Sequence, residues 1–254
     1  MATEQLVREG WHVFAADMRD EVFTCYEKNE DVTPLKMDIT SSNSVEEAFQ
    51  FISDRTDSLD AVVSMAGMLV IGSLVELPIS DLERALEVNL LGIYRVNKRF
   101  LPLLLRRKGR IVIFSSEVGR QTAAPFNGIY SISKHALEAY SDALRRELSF
   151  LGIKVVKIQP GPFKTRMTKN AKEMFKKAQM DSVYFKENLS AGISYLPKVY
   201  KNASDPFIIA RILVKVLHSK RPRTAYLVKC DLPRRIIDLL PVQLADLLIE
   251  KALS

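Results

Sequence analysis

Apolar residues along this chain follow two rhythms. Short runs, mostly β-branched or aromatic and bounded by charge, Gly or Pro, occur at Trp11–Ala16, Val32–Met37, Leu59–Met65, Arg110–Phe114, Ile153–Ile158 and Ala225–Val228. They predict strands. Longer amphipathic stretches at about 18–30, 44–56, 80–107, 128–150 and 205–219 predict helices. Val32–Met37 contains Pro34, which cannot donate to a ladder and fits only a sheet edge. Ser80, three residues before Glu83, predicts a capping box for the helix at 80–107. Strand and helix alternate, with no linker or repeat. The pattern therefore predicts one α/β domain over 1–254, a doubly wound parallel sheet in three layers with right-handed crossovers. Such sheets bind ligands beyond the carboxyl ends of their strands, so chemistry is sought there.

Composition narrows the function classes. The 254 residues are 47% hydrophobic and 26% charged, enough for a sizeable core. Cys25 and Cys230 cannot form a disulfide framework, and His12, His135 and His218 show no metal-ligand spacing, so no metal is expected. No apolar run reaches the roughly 20 residues of a membrane span, and the first residues carry no signal pattern, which predicts a cytoplasmic setting. The net charge of +7 attracts anions, among them nucleic acid, membranes and dinucleotides. Its basic residues are spread out, with short clusters at Arg106–Lys108 and Lys220–Arg223 that read as helix ends and turns; with no recognition motif beside them, nucleic acid is not expected as a partner.

The chemistry concentrates in Tyr130-Ser131-Ile132-Ser133-Lys134. A phenol and an ammonium four residues apart share one helix face, and the positive charge is expected to lower the tyrosine's pKa. Such a tyrosine can exchange a proton with an alcohol or carbonyl. Ser115 and Ser116 follow the strand Arg110–Phe114, with Gly119 beyond, and a hydroxyl there can orient a carbonyl opposite the tyrosine. Asn89 falls mid-helix, where Asn is a mediocre choice. Pro160-Gly161 follows the strand Ile153–Ile158, with Thr165 further on.

In order and spacing these residues resemble a short-chain dehydrogenase/reductase of the single-domain type, over about residues 5 to 230. The match takes in Asp17, Asp38-Ile39, Ala66-Gly67, Asn89, Ser116, Tyr130, Lys134 and Pro160-Gly161. The resemblance implies a Rossmann-like fold. It makes Tyr130 the general acid/base, with Lys134 lowering its pKa and holding the nicotinamide ribose. Ser116 polarises the substrate oxygen, and Asn89 supports a water that passes the proton on. Asp17, Asp38, Ile39, Ala66, Gly67, Tyr130, Lys134, Pro160, Gly161 and Thr165 become the cofactor-binding set. The family's serine commonly stands thirteen residues before the tyrosine; here Glu117 does, and Ser116 is preferred from the strand end and Gly119, with Ser115 as fallback.

The sequence departs from the family at its start. Relatives open with a strand and a Gly-rich turn whose backbone meets the pyrophosphate at a helix N-terminus. Here Leu6–Trp11 resembles the end of that helix, and Gly10 is the only glycine before Gly67. The resemblance thus implies an N-terminally truncated sheet, whether through a shortened reading frame, an isoform or fragment, or a true loss, and weak dinucleotide binding by the chain as it stands. Met65 replaces the usual Asn before Ala66-Gly67 and implies altered packing. Asp17 would accept bonds from ribose hydroxyls and repel a 2′-phosphate, favouring NAD over NADP, although Arg19 nearby could pair with that phosphate.

The segment 163–203 mixes Met167, Met174, Phe175, Met180, Tyr184, Phe185, Tyr195 and Leu196 with many lysines, and in the family the equivalent segment covers the substrate. Adaptable Met and aromatic side chains suit a hydrophobic steroid-, retinoid- or lipid-like alcohol or ketone, and equally an amphipathic helix packed on the core. A helical tail at 232–254, with Ile236, Ile237, Leu239, Leu240, Leu244, Leu247 and Leu248, resembles the tails of retinol- and steroid-dehydrogenase-like members. It would cover the core or touch a membrane surface. The long helices at 80–107 and 128–150 are expected to form a homodimer or homotetramer face. Two other readings stay open: a cofactor-impaired pseudoenzyme acting as a binding or regulatory partner, and a dehydratase or epimerase on the same fold.

Overall fold

The computed structural model describes residues 1–201, 203–230 and 236–253; within this span the side chains of 195, 196 and 198–201 are excluded. The expectations for Tyr195, Leu196, and residues 202, 232–235 and 254 lie outside the described residues.

Among the described residues every strand pairing is parallel, as alternating strands and helices require. Strands β1 (Val13–Asp17) and β2 (Val32–Lys36) form one ladder, from Val13 opposite Val32 to Asp17 opposite Lys36. A second sheet runs in the order β3 (Ala61–Ser64), β4 (Arg110–Phe114), β5 (Lys154–Pro160), β6 (Ala225–Val228). Pro34 sits in β2, at an edge.

Helices cover both faces: α1 (Ala2–Arg8), α2 (Glu21–Tyr26), α3 (Ser42–Ser53), α4 (Ile79–Leu86), α5 (Gly92–Arg107), α6 (Gly128–Ser149), α7 (Arg166–Asp181), α8 (Lys186–Lys201), α9 (Phe207–His218) and α10 (Val242–Leu253). Strand alternation divides the core into two layers. Ile111 and Ile113 of β4 pack with α3, α5 and α6 through Val45, Ile93, Phe100 and Leu137. Val112 and Phe114 face the other way, onto Leu6 of α1 and Leu213 and Val216 of α9. Each such fully buried side chain contributes about 1.5–3 kcal/mol over an exposed one. Both layers reach β1 and β3, taking in Phe14 and Val62 on one face and Val13, Ala61 and Val63 on the other. The two sheets are thus sandwiched by the same helices in a three-layer, Rossmann-like arrangement.

Three expectations need correction. The helix at 80–107 divides into α4, a π-turn at Glu87–Leu91 and α5. Its capping box does not form: the helix begins one residue before Ser80, at Ile79, so Ser80 falls inside the first turn, and the N-cap is Pro78, which makes no side-chain cap bond. The helix at 18–30 shrinks to α2, because Glu27-Lys28-Asn29-Glu30 offers no apolar residue to anchor a further turn. The covering segment resolves into α7 and α8. In α10 only Ala245 is buried, while Val242, Leu244, Leu247 and Leu248 stay exposed. No helix among the described residues is long and apolar enough to cross a membrane.

Candidate active site

Four side chains converge at the carboxyl end of β4. The chain leaves the strand through Ser115 and turns at Ser116, whose Oγ accepts from the Val118 N–H and caps a single 3₁₀ turn, Glu117–Gly119. That turn lies against α6. A Cβ on Gly119 would stand 2.8 Å from the Lys134 carbonyl oxygen, so only glycine lets the turn approach this closely. The approach brings Ser116 within hydrogen-bonding reach of the Tyr130 phenol.

Lys134 lies one helical turn beyond Tyr130 and is 3% exposed. Its Nζ donates to the Phe114 carbonyl at 3.2 Å and stands 5.7 Å from the centre of the Tyr130 ring. The π-turn supplies Asn89, which is fully buried. Asn89 Oδ1 accepts from the Met68 N–H at 2.7 Å; its Nδ2 donates to the Met68 carbonyl at 2.9 Å and to Ser133 Oγ at 2.9 Å. Ser133 Oγ in turn donates to the Tyr130 carbonyl at 2.8 Å. Asn89 therefore clamps the loop after β3 to the catalytic helix. The Asn89 side-chain amide is fully occupied by this clamp.

Electrostatics correct one expectation at this site. Burial pushes the Tyr130 phenol above its ordinary pKa; the Ser116 hydrogen bond opposes this and the Glu117 charge adds to it. Burial also drives Lys134 down to about 8, against a raising effect from Glu138. The lysine thus does not produce the lowered phenol pKa expected from spacing alone. Desolvation penalises both charged forms, and 5.7 Å separates the ammonium from the ring.

The other candidates are placed less uniformly. Gly67 joins the catalytic group: a Cβ there would sit 3.4 Å from Asn89 Oδ1 and 3.6 Å from Lys134 Nζ, so bare backbone lies over both. Ala66 beside it is exposed, as is Met65. Pro160 ends β5, and the Gly161 N–H is tied to the Val228 carbonyl. Thr165 spends its hydroxyl capping α7. Asp17 receives Arg19 through Nε and Nη2, each at 3.0 Å, and this contact holds its carboxyl below the usual range. Asp38 Oδ1 accepts from the Thr40 N–H and hydroxyl, and Ile39 packs under Gly92. Sequence reasoning missed Ser133 and the Phe114 carbonyl. Ser133 could have been found from its place one residue before Lys134; a backbone carbonyl leaves no sequence signal.

The nicotinamide end of a dinucleotide fits what is present: a buried ammonium, a phenol, an uncovered glycine backbone, and the buried Ser64 and Ser115 hydroxyls at two strand ends, which have no hydrogen-bond partner. No group of three or more His, Cys, Asp or Glu that could hold a metal ion occurs among the described residues.

This geometry is that of a tyrosine-based oxidoreductase on a parallel α/β sheet. Residues 1–176 match the family model for short chain dehydrogenases, and the chain belongs to that family. It is 32% identical to the probable short-chain type dehydrogenase/reductase VdlC of Helicobacter pylori, over 93% of this chain and 86% of that one. It is 31% identical to retinol dehydrogenase 7 of Mus musculus, over 89% and 75% of the two chains. It is 32% identical to 17-beta-hydroxysteroid dehydrogenase type 6 of Homo sapiens, over 86% and 73%. Among solved structures, actinorhodin polyketide ketoreductase with NADPH superposes with a TM-score of 0.76 at 24% identity, covering 90% of each chain, which shows the shared fold.

Proposed function

We propose that the protein transfers a hydride between a nicotinamide cofactor and a hydrophobic alcohol or ketone, steroid-, retinoid- or lipid-like in character. The observation that carries the reading is buried Ser116 beside the half-buried Tyr130, with buried Lys134 on the same face of α6. Retinol and steroid dehydrogenases among the relatives, and neighbouring structures with bound NADPH or a modified NADP, support substrate class and cofactor.

The cofactor supplies or accepts the hydride when bound. Ser116 Oγ holds the substrate oxygen beside the phenol, and Tyr130 gives its proton to that oxygen in reduction or takes it in oxidation. With its pKa raised, Tyr130 is neutral near pH 7, the proton-donating form. Lys134 would hold the ribose hydroxyls beneath the ring, and Asn89 keeps the Gly67 backbone against this group. Asp17 would face the adenosine ribose and favour NAD, with Arg19 beside it as the residue able to accept NADP. The test is reduction of a panel of steroid ketones, retinal and short aliphatic ketones with NADH and with NADPH. Turnover of the bulky ketones that Tyr130→Phe abolishes is the expected result; turnover in Tyr130→Phe would sink the mechanism.

Two assembly properties belong to the same reading. Leu91, Tyr94 and Leu105, around and along α5, and Ile132 of α6 are exposed apolar residues suited to a homodimer face, checked by sedimentation at micromolar concentration. Exposed Leu239, Val242, Leu244, Leu247 and Leu248 on a chain of net charge +7 suit peripheral contact with an anionic membrane, checked by vesicle co-sedimentation.

A further inference from the structure

Tyr130, Lys134, Glu138 and Asp142 follow one another at four-residue intervals along α6, and so form one stripe on its inner face. Only the first two belong to the site described above. The stripe continues into a charged cluster packed against β5. Lys157 Nζ stands 2.7 Å from Glu138 Oε2 and 2.8 Å from Asp142 Oδ1. Gln159, two residues on and therefore on the same face of β5, donates through Nε2 to Glu138 Oε1 at 2.8 Å. The side chains of Lys157 and Glu138 are 10% and 11% exposed. Such burial is costly, and an apolar pair of similar volume would pack at least as well. A stability role alone gives no reason for placing a carboxylate one turn below the catalytic lysine.

Charge placement gives one. Asp142 is shared between Lys157 and Arg145, whose Nη2 stands 3.6 Å from Asp142 Oδ1, so the acids and bases of the cluster balance and Glu138 is its member one helical turn from Lys134. Lys134 itself has no carboxylate bonded to its ammonium, only the Phe114 carbonyl. Gly119, pressed between the Lys134 backbone and Glu138 Cγ, fixes the packing at this level.

We propose that Glu138 is a positioning residue whose carboxylate, tempered by Lys157, keeps buried Lys134 protonated. The proposal rests on the reading of Lys134 as the site's cation. Other charged groups on elements packed against α6 are Glu117 in the 3₁₀ turn, Lys154 on β5, Glu87 in the π-turn, which is paired with Arg95, and Asp81, Glu83 and Arg84 on α4. Glu138 acts electrostatically on Lys134, raising its pKa against the larger lowering effect of burial. A carboxylate one helical turn away, partly offset by its own ion pair, favours the charged form of the lysine.

The experiment follows Lys134 directly, without cofactor or substrate, so that its failure is separate from any failure of the proposed activity. The 254-residue chain is labelled with 13C at lysine Cε, the Lys134 signal is assigned by its loss in Lys134→Arg, and the signal is titrated with pH. In the wild type the midpoint falls near 8. Glu138→Gln should lower it, and Lys157→Met, which exposes Lys134 to uncompensated carboxylates, should raise it. Asp142→Asn, at a half-exposed position expected to tolerate change, leaves Lys157 freer to offset Glu138 and should lower it slightly, so the test survives a Glu138→Gln chain that does not fold. Opposite shifts for the acidic and the basic substitutions support the proposal. Shifts in the same direction, or none, overturn it and leave the cluster a purely structural link between α6 and β5.

Discussion

The two sheets make different use of the polar groups at their strand ends. Around β4, side chains from separate elements reach across to one another: Ser116 from the 3₁₀ turn, Tyr130 and Lys134 from α6, Asn89 from the π-turn. Beyond β1 and β2 the polar groups close on their own neighbours, Asp17 on Arg19 and Asp38 on Thr40, two residues away in each case. Long-range polar pairing in a buried place is expensive to build and leaves groups with shifted titrations. Short-range pairing at an exposed turn is what Asp does in any loop. The first region thus joins distant side chains into one group with shifted titrations, while the second holds its carboxylates in local turns.

Substitutions can break or sharpen that contrast. The largest effect is expected from Tyr130→Phe, which removes the proton donor and should lower turnover by about 10²–10⁴-fold. Asp17→Ala should change turnover by less than about tenfold and raise the NADP/NAD ratio; an unchanged ratio would make Asp17 a simple turn residue. Next comes Asn89→Ala, which strands the half-buried Met68 amide and carbonyl and frees Ser133; unfolding in urea should show a loss of about 2–4 kcal/mol. Asp38→Ala, at the other sheet, should cost only about 1 kcal/mol. Equal losses at the two positions would erase the distinction.

Lys134→Met tests the same contrast through pH. A buried lysine with a folded pKa near 8 and an unfolded value near 10.5 binds fewer protons when folded than when unfolded over that window, so its contribution to stability rises with pH between them. Below 8 the charged form is a burden of up to about 3 kcal/mol. The methionine variant should therefore melt higher than wild type at pH 7, and its advantage should shrink towards pH 10. The smallest effect concerns Glu76, which accepts from the Val183 and Tyr184 N–H groups and the Ser182 hydroxyl, between α7 and α8. These bonds depress its pKa, so the contact is present above the unfolded carboxylate value and is lost as pH falls through the folded one. Hydrogen-exchange protection at Val183 and Tyr184, taken relative to the unstructured rate at the same pH, should fall in acid, and in Glu76→Gln at neutral pH.

Much of this was legible in the sequence. Arg110–Phe114 and Ala225–Val228 are strands at the residues expected, because β-branched runs between turn signals leave few alternatives. Tyr130, Lys134, Ser116 and Asn89 meet as their order along the chain implied. What periodicity could not show was the break at Asn89, since a π-turn keeps the apolar face of the helix while opening one turn of its ladder. Nor could it show the direction of the Tyr130 and Lys134 shifts. Spacing reports which charges are near, while desolvation depends on everything else packed around them. Asp17 and Thr165 illustrate the converse: each stands where the family pattern places it, yet the nearest residues, Arg19 and Thr168, already occupy its oxygen atoms.

The central claim is that Ser116 and Tyr130 form one proton-exchanging pair. The chain labelled with 13C at tyrosine Cζ tests it without cofactor or substrate, the Tyr130 signal being assigned by its loss in Tyr130→Phe. Tyr130 is predicted to titrate above the ordinary tyrosine value of 10, and Ser116→Ala, by removing the bond that favours the phenolate, should raise it further. A Tyr130 that titrates at or below 10, or one that Ser116→Ala leaves unmoved, would contradict the account.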